Sequence, residues 1–412
     1  MNVTGNKIIP EGWISTRLSS LIHSMDAGVS VNSEDRKAEV GECGILKTSA
    51  VINGRFISDE NKVILTSEIE RAKVSPICDR IIMSRMNTPS LVGASGYVYE
   101  TRIDLFLPDR LWQLSPKDNC LVSMKWLSFV LASPRYRSKL SSIATGTSDT
   151  MKNITKEDVM SLAILLSPLP EQKAIADLLS IWDEAIEKTE RLIKENESRL
   201  ITLMHDLIYV PVKEGNWIQL QAKWLFKERR ESVRGELPLL SITGSEGVIP
   251  REDTNRKDTS NDDKSKYLRI CPGDIGYNTM RMWQGVSALS TLEGIVSPAY
   301  TICIPGDKLY PRFVALLFKM PFMIHRFYRY SQGLTSDTWN LKFRHFCEVR
   351  IPVPELDEQQ RIAGIISEAQ QEIALLKQLA EKYKTQKRGL MQKMLIGEWR
   401  VKHEIFKKYS ET

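Results

Sequence analysis

Two stretches of the chain carry the same hydrophobic period. After Pro170 no Gly or Pro occurs until beyond Ile208, and apolar residues fall on a heptad seam: Ile175, Leu179, Trp182, Ile186, Ile193, Leu200, Leu203 and Leu207, interrupted by Thr189 and Asn196. A second seam runs through Ile362, Ile366, Ala369, Ile373, Leu376, Ala380, Tyr383, Leu390 and Met394. Lys387 breaks it, Gly364 and Gly389 weaken it, and Gly397 suits a stop. Each seam predicts a helix about 58 Å long at 1.5 Å per residue. Helices of that length need a partner for their apolar stripe, and two in one chain predict an antiparallel pair. Two separate dimerisation coils are the alternative.

The blocks before each helix change period. Ile45-Leu46-Lys47-Thr48, Lys62-Val63-Ile64-Leu65, Arg80-Ile81-Ile82-Met83 and Tyr300-Thr301-Ile302-Cys303-Ile304 are strand-like runs, the last stopped by Pro305-Gly306. Residues 121–131 and their counterpart 312–319 fit short helices, and residues 247–266 read as an exposed polar loop. The expected fold class is mixed α+β (α/β), with two globules in tandem, each followed by a long helix.

The unit is repeated. Ser167-Pro168-Leu169-Pro170-Glu171-Gln172-Lys173-Ala174-Ile175-Ala176 recurs as Ile351-Pro352-Val353-Pro354 and then, after three extra residues, Glu358-Gln359-Gln360-Arg361-Ile362-Ala363, an offset of about 187 residues. Thr147-Ser148-Asp149-Thr150 recurs as Thr335-Ser336-Asp337-Thr338. Ser133-Pro134 matches Met320-Pro321, and Gly12-Trp13-Ile14 approximates Asn216-Trp217-Ile218. Four landmarks in one order predict a tandem duplication: a first globule over 1–166, a first helix over 167–212, a second globule over 213–350, and a second helix with a C-terminal tail over 351–412.

Charge follows this division. The net charge of +6 on 412 residues names no partner by itself. Residues 167–214 carry 6 basic against 10 acidic side chains, whereas residues 215–350 carry 20 against 14. An acidic helix therefore masks a basic second globule. That helix, Glu187 and Glu190 included, is expected to face protein partners. Six scattered cysteines without a CxxC pair point to reduced thiols in a cytoplasmic protein, and no apolar run approaches the roughly 18–20 residues of a membrane span. No P-loop, Gly-rich dinucleotide turn, G-x-S-x-G or metal-spaced histidine pair occurs, so no catalytic residue, metal ligand or cofactor of this chain's own is assigned.

With the repeated Pro-x-Pro, the Glu-Gln and Ile-Ala that follow it, the two long helices and a variable globule before each, the sequence resembles the specificity subunit of type I restriction-modification systems. Residues 382–395, KYKTQKRGLMQKML, are especially similar to the distal helix of that family. The resemblance covers nearly the whole chain, although the N-terminal segment ahead of the first recognition domain is minimal here. It implies a non-catalytic subunit whose two target-recognition domains each read one half of a split site in double-stranded DNA. The helices would set the spacing and dock two methyltransferase subunits, with restriction-motor subunits as further partners. S-adenosylmethionine, ATP and Mg would be used by those partners, and no membrane would be involved. Outside this reading stand a coiled-coil adaptor that binds proteins and the specificity subunit of a related phage-defence methylation system.

The resemblance also picks out DNA-contact candidates. In the first globule these are Arg85, Asn87 and Thr88, in a polar loop after a strand, and in the second Asn278, Thr279, Arg281, Trp283 and Gln284 in the equivalent place. The Thr-Ser-Asp-Thr segments add Ser148, Lys152 and Asn153, and Ser336, Asn340 and Lys342. The chemistry suits DNA: Arg forks onto guanine or phosphate, Asn and Gln pair with adenine, and hydroxyls anchor phosphates. A plain turn with an exposed Arg and a packed Trp is the competing description.

Overall fold

The computed structural model describes residues 3–4, 7–118, 122–148, 151–232, 237–254, 265–335, 338–402 and 404. The chain forms two units, 1–189 with 378–412, and 190–377, so each long helix contributes one half to each unit.

In the first unit the strand Arg80–Ser84 shows why a continuous apolar run was needed. Ile81 and Met83 enter one core and Ile82 the core on the opposite face, all fully buried. It lies third in a six-stranded sheet ordered Ile22–Ala27, Leu111–Pro116, Arg80–Ser84, Ser95–Val98, Arg55–Phe56, Val51–Ile52. The helices Met124–Ala132 and Pro134–Ile143 cover the first face with Trp126, Leu127, Val130, Leu131 and Leu140. The second unit repeats the central part in the same order: Phe226–Glu228, Tyr300–Pro305, Ile275–Asn278, Ser287–Leu289. The helices Pro311–Leu317 and Pro321–Tyr330 take the places of the first pair. The mixed α+β class expected from the sequence is the one observed, with mainly antiparallel sheets.

Each globule is closed by its own ends. Ile14–Arg17 pairs antiparallel with Ala163–Leu166, and Ile218–Gln221 with Arg350–Val353. From the closing strand the chain passes through the proline segment into the long helix, Leu169–Met204 in one copy and Leu356–Met394 in the other. The recurring glutamine explains the motif. Gln172 Nε2 donates to Ser167 O (2.7 Å) while its Oε1 accepts Ser123 N–H (2.9 Å). Gln359 Nε2 donates to Pro354 O and Lys308 O (both 2.9 Å) while its Oε1 accepts Tyr310 N–H (2.8 Å). Ser123 and Tyr310 are the N-caps of the first globular helix in their copies. One buried amide thus ties the start of the long helix to the start of the helix that roofs the sheet, in both copies.

The helix halves run antiparallel within each unit. In the first, Trp182 meets Tyr383 edge-on (5.6 Å, 74°) and Asp183 pairs with Lys387 at 2.6 Å. In the second, Glu197 pairs with Lys377 at 2.7 Å. Lys387, which interrupts the seam in sequence, is therefore a seam residue with a partner: largely buried, it also lies 5.1 Å over the Phe129 ring. Burial pushes its ammonium pKa down against the opposing pull of Asp183. A buried ion pair of this kind fixes helix register more than it adds stability.

Several expectations need adjustment. The first long helix continues beyond Ile208 through a π-helical turn, His205–Tyr209, to Glu214, and stops at Gly215 with φ +78°. The wider turn precedes Pro211, which cannot donate to the carbonyl of Leu207. Residues 351–353, placed with the second helix, belong to the closing strand. The helix expected at 121–131 begins at Met124 behind the Ser123 cap and is followed by a second helix; Leu121 lies outside the described residues. Residues 247–266 are not simply a loop: Val248–Pro250 pairs with Leu240–Ile242, and residues 255–264 lie outside the described set. Glu187, 57% exposed at its side chain, is also bonded to Arg55 of its own unit at 3.0 Å.

Candidate nucleic-acid interface

The strand Arg80–Ser84 delivers the chain to Arg85, and Ile275–Asn278 delivers it to Thr279. At both exits the backbone makes the same two bonds. Arg85 N–H donates to Arg110 O (3.0 Å) and Arg85 O accepts Ile154 N–H (3.0 Å); Thr279 N–H donates to Ala299 O (3.0 Å) and Thr279 O accepts Leu341 N–H (2.8 Å). Ile154 and Leu341 are buried and one repeat apart. The structure therefore seats the two candidate segments of each globule side by side, although about 66 residues separate them in sequence. In the first globule they form a sheet, Met86 opposite Asn153 and Asn87 opposite Lys152, with Thr145–Ser148 as the outer strand.

Each loop is braced from behind, by the second globular helix in the first globule and by the turn just ahead of that helix in the second. Arg137 Nη2 donates to Ser90 O (3.0 Å) and Ser141 Oγ to Pro89 O (3.1 Å). In the second globule Lys319 Nζ donates to Gly244 O (3.1 Å) and Gly285 O (2.9 Å). The loops end at Gly93 (φ +70°) and Gly285 (φ +78°), where an added Cβ would fall 2.9 Å from Leu140 and 2.8 Å from Ile324 respectively. A left-handed backbone packed against the bracing helix leaves room only for Gly. Lys319 and Arg137, missed from sequence, are positioning residues, and burial pushes the pKa of both down.

The candidates separate by what their side chains already do. Asn87 Oδ1 accepts Thr88 N–H (2.9 Å), Asn278 Oδ1 accepts Met280 N–H (3.0 Å), and Asn340 Nδ2 donates to Gln332 O (3.2 Å) and Thr338 O (3.1 Å). These amides shape turns. Thr88 faces Ser90 Oγ at 3.2 Å, and Thr279 faces Thr301 Oγ1 at 3.3 Å. Lys152 reaches Gly146 O at 3.0 Å. Arg85 lies 3.9 Å from Asp109, half-buried, and its Nε and Asn153 Oδ1 have no hydrogen-bond partner among the described residues. Arg281, Gln284 and Lys342 are exposed, with no side-chain hydrogen bond or ion pair to the described residues. The side chain of Ser148, and Ser336 altogether, lie outside the described residues.

Trp283 is partly packed. Its indole N–H donates to Met280 O (3.0 Å), and its ring stands edge-on to Trp339. Beside it a cavity of about 510 Å³ is lined by Asn278, Arg281, Arg251, Glu246, Ser241 and Tyr300, among others. It holds both donors and acceptors, the mixture that base edges and phosphates require. Arg251, Glu246 and Tyr300 carried no sequence signal, because strand pairing alone brings them to Arg281. Among the described residues no cluster of His, Cys, Asp or Glu could hold a metal ion, and no helix is long and apolar enough to cross a membrane.

Residues 10–196 match the family model described as type I restriction modification DNA specificity domain. The chain is 28% identical over 183 residues to the Escherichia coli type I restriction enzyme EcoEI specificity subunit, covering 43% of this chain and 30% of that protein. It is 32% identical over 226 residues to a Mycoplasma pneumoniae protein named as a putative type I specificity subunit, covering 50% and 58%. The matches thus span well under two thirds of either relative. The crystal structure of a type I restriction-modification system S subunit from M. genitalium shares the fold, with a TM-score of 0.59 at 15% identity over 96% of this chain and 98% of that one. Residues 10–196 are thus similar to the type I restriction modification DNA specificity domain, and the chain as a whole shares the fold of the solved M. genitalium S subunit.

Proposed function

We propose that the chain is the DNA-specificity subunit of a type I restriction-modification complex and performs no chemistry itself. One observation carries this reading: strand, loop, bracing helix and companion segment are built twice, each time presenting basic and amide side chains at one strand end. Two readers that share a frame but differ in loops suit a split DNA target with dissimilar halves. Phosphate contacts from Arg and Lys would fix orientation, and the loop side chains would read base edges. The long helices would set the distance between half-sites and dock two methyltransferase subunits, with restriction-motor subunits beyond. The methyl donor, ATP and Mg would belong to those partners.

Methylome sequencing of cells that express the chain with its methyltransferase is expected to give a bipartite, asymmetric motif with an unread spacer. A continuous palindrome, or no methylation, overturns the proposal. A coiled-coil adaptor would show no salt-dependent DNA binding, whereas a reader loses affinity steeply as salt rises.

Arg281 is the sharpest single-residue test, because its guanidinium has no partner to lose among the described residues. Arg281→Ala is expected to leave assembly with the methyltransferase intact and to weaken binding to the motif by about 1–3 kcal/mol. Arg85→Ala should also disturb the packing around Asp109. Loss of assembly in Arg281→Ala would mark the loop as structural.

A further inference from the structure

At one position the two globules present opposite chemistry. Beside the Arg281 loop, Trp283 stands edge-on to Trp339 (5.0 Å, 86°) and Trp339 edge-on to Tyr328 (4.9 Å, 69°), an unbroken aromatic row. Its rings are partly exposed, Tyr328 by 43%, and neighbouring Met280 by 51%. Among the described residues the first globule has no such row. Asn340 bridges Gln332 as Asn153 bridges Thr145, so Trp339 stands where Lys152 does. Tyr328 is the eighth residue of Pro321–Tyr330, as Ser141 is of Pro134–Ile143. A lysine and a serine are thus replaced by a tryptophan and a tyrosine on the same frame.

Aromatic faces left in water beside a cationic loop are out of place on a surface that touches only phosphates. The exposed cations Arg281, Arg329 and Lys342 lie on the same three segments as the row, so an anionic polymer drawn to them would press against the rings. In the major groove of duplex DNA the one apolar feature is the C5-methyl of thymine. We infer that the Trp283–Trp339–Tyr328 row is a specificity element that takes thymine methyl groups in the half-site read by the second globule, and that Lys152 and Ser141 give the first globule no such preference. This rests on the DNA-reading function proposed above.

Uracil, which lacks only that methyl, is the probe. The complex of the full chain with its methyltransferase would be titrated with the duplex defined by the methylome, thymines being replaced by uracil in one half-site at a time. Burial of one methyl is expected to make a difference of about fourfold in affinity. The wild-type complex should lose at least that much with uracil in one half-site and nothing comparable with uracil in the other. In Trp339→Lys and Tyr328→Ser the penalty should vanish, while Trp339→Phe, which keeps an apolar face and guards against misfolding, should retain it. The inference is overturned if the penalty persists in Trp339→Lys, if neither half-site responds to uracil, or if the variants lose methyltransferase assembly with uracil sensitivity unchanged. Salt-dependent binding and methylation of the unsubstituted duplex would survive those failures; their absence would instead reject the DNA-reading function.

Discussion

Gln359→Leu is expected to lower the stability of the second unit by about 3–5 kcal/mol. The side chain is fully buried and serves three backbone groups at once, Tyr310 N–H, Lys308 O and Pro354 O. A leucine of similar size fills the space and satisfies none, and each buried polar group left unpaired costs about 1–3 kcal/mol. Gln172→Leu removes the bonds to Ser123 N–H and Ser167 O and should act on the first unit by about 2–4 kcal/mol. Denaturant unfolding, followed by the tryptophans of each unit, tests both. The prediction fails if each variant unfolds like the wild type, or if Gln359→Leu shifts only signals of the first unit. Because Tyr310 caps the helix behind the second globule, Gln359→Leu should also loosen the candidate loops without touching them.

Glu171→Ala should cost about 2–4 kcal/mol and release the C-terminal segment from the first unit. Glu171 is fully buried; its oxygens accept from Arg400 Nε (2.6 Å), Arg400 Nη2 (2.9 Å) and the Trp13 indole N–H (3.0 Å). Arg400 also donates to Glu11 O (3.0 Å) and lies over the Trp13 ring, while Gly397 packs on Pro10. This clasp closes the first unit between its N-terminal strand and the segment after the second long helix. Removing the carboxylate leaves a buried indole N–H unpaired and frees a guanidinium, which is part-exposed and recovers some hydration. Limited proteolysis should then cut within residues 395–402 well before the globules, and a double variant with Arg400→Ala should be less destabilised than the sum of the two single changes. Additive effects, or a tail as resistant as in the wild type, would contradict the clasp.

The Glu-Gln pair shows how far a repeated motif can be read. In sequence both residues look like a helix start, with the glutamate facing the helix dipole. The glutamines do the same work in both copies. The glutamates do not: Glu358 is partly exposed, with no side-chain bond to the described residues, whereas Glu171 holds Trp13 and Arg400. Identical letters at one repeat offset hide different partners, because those partners come from segments distant in sequence. Lys387 is the reverse case. It reads as a defect in an apolar seam, and Asp183, more than 200 residues away, makes it a register contact.

What the sequence by itself determined is the architecture. A helical period sustained over ten turns is a local property, so the two helices and the duplication were legible, and with them the family resemblance. The apolar run at Arg80–Met83 likewise announced a strand, and the structure buries it on both faces. Only the tertiary structure decided how the candidate surface is assembled. The pairing of Ile14–Arg17 with Ala163–Leu166, the seating of Ile154 on Arg85 and Leu341 on Thr279, and the aromatic row from Trp283 to Tyr328 each join residues tens to well over a hundred positions apart. Such contacts leave no period in the chain, because they follow from which strands pair and which faces are buried, and those are settled by the collapse of the whole globule around its core.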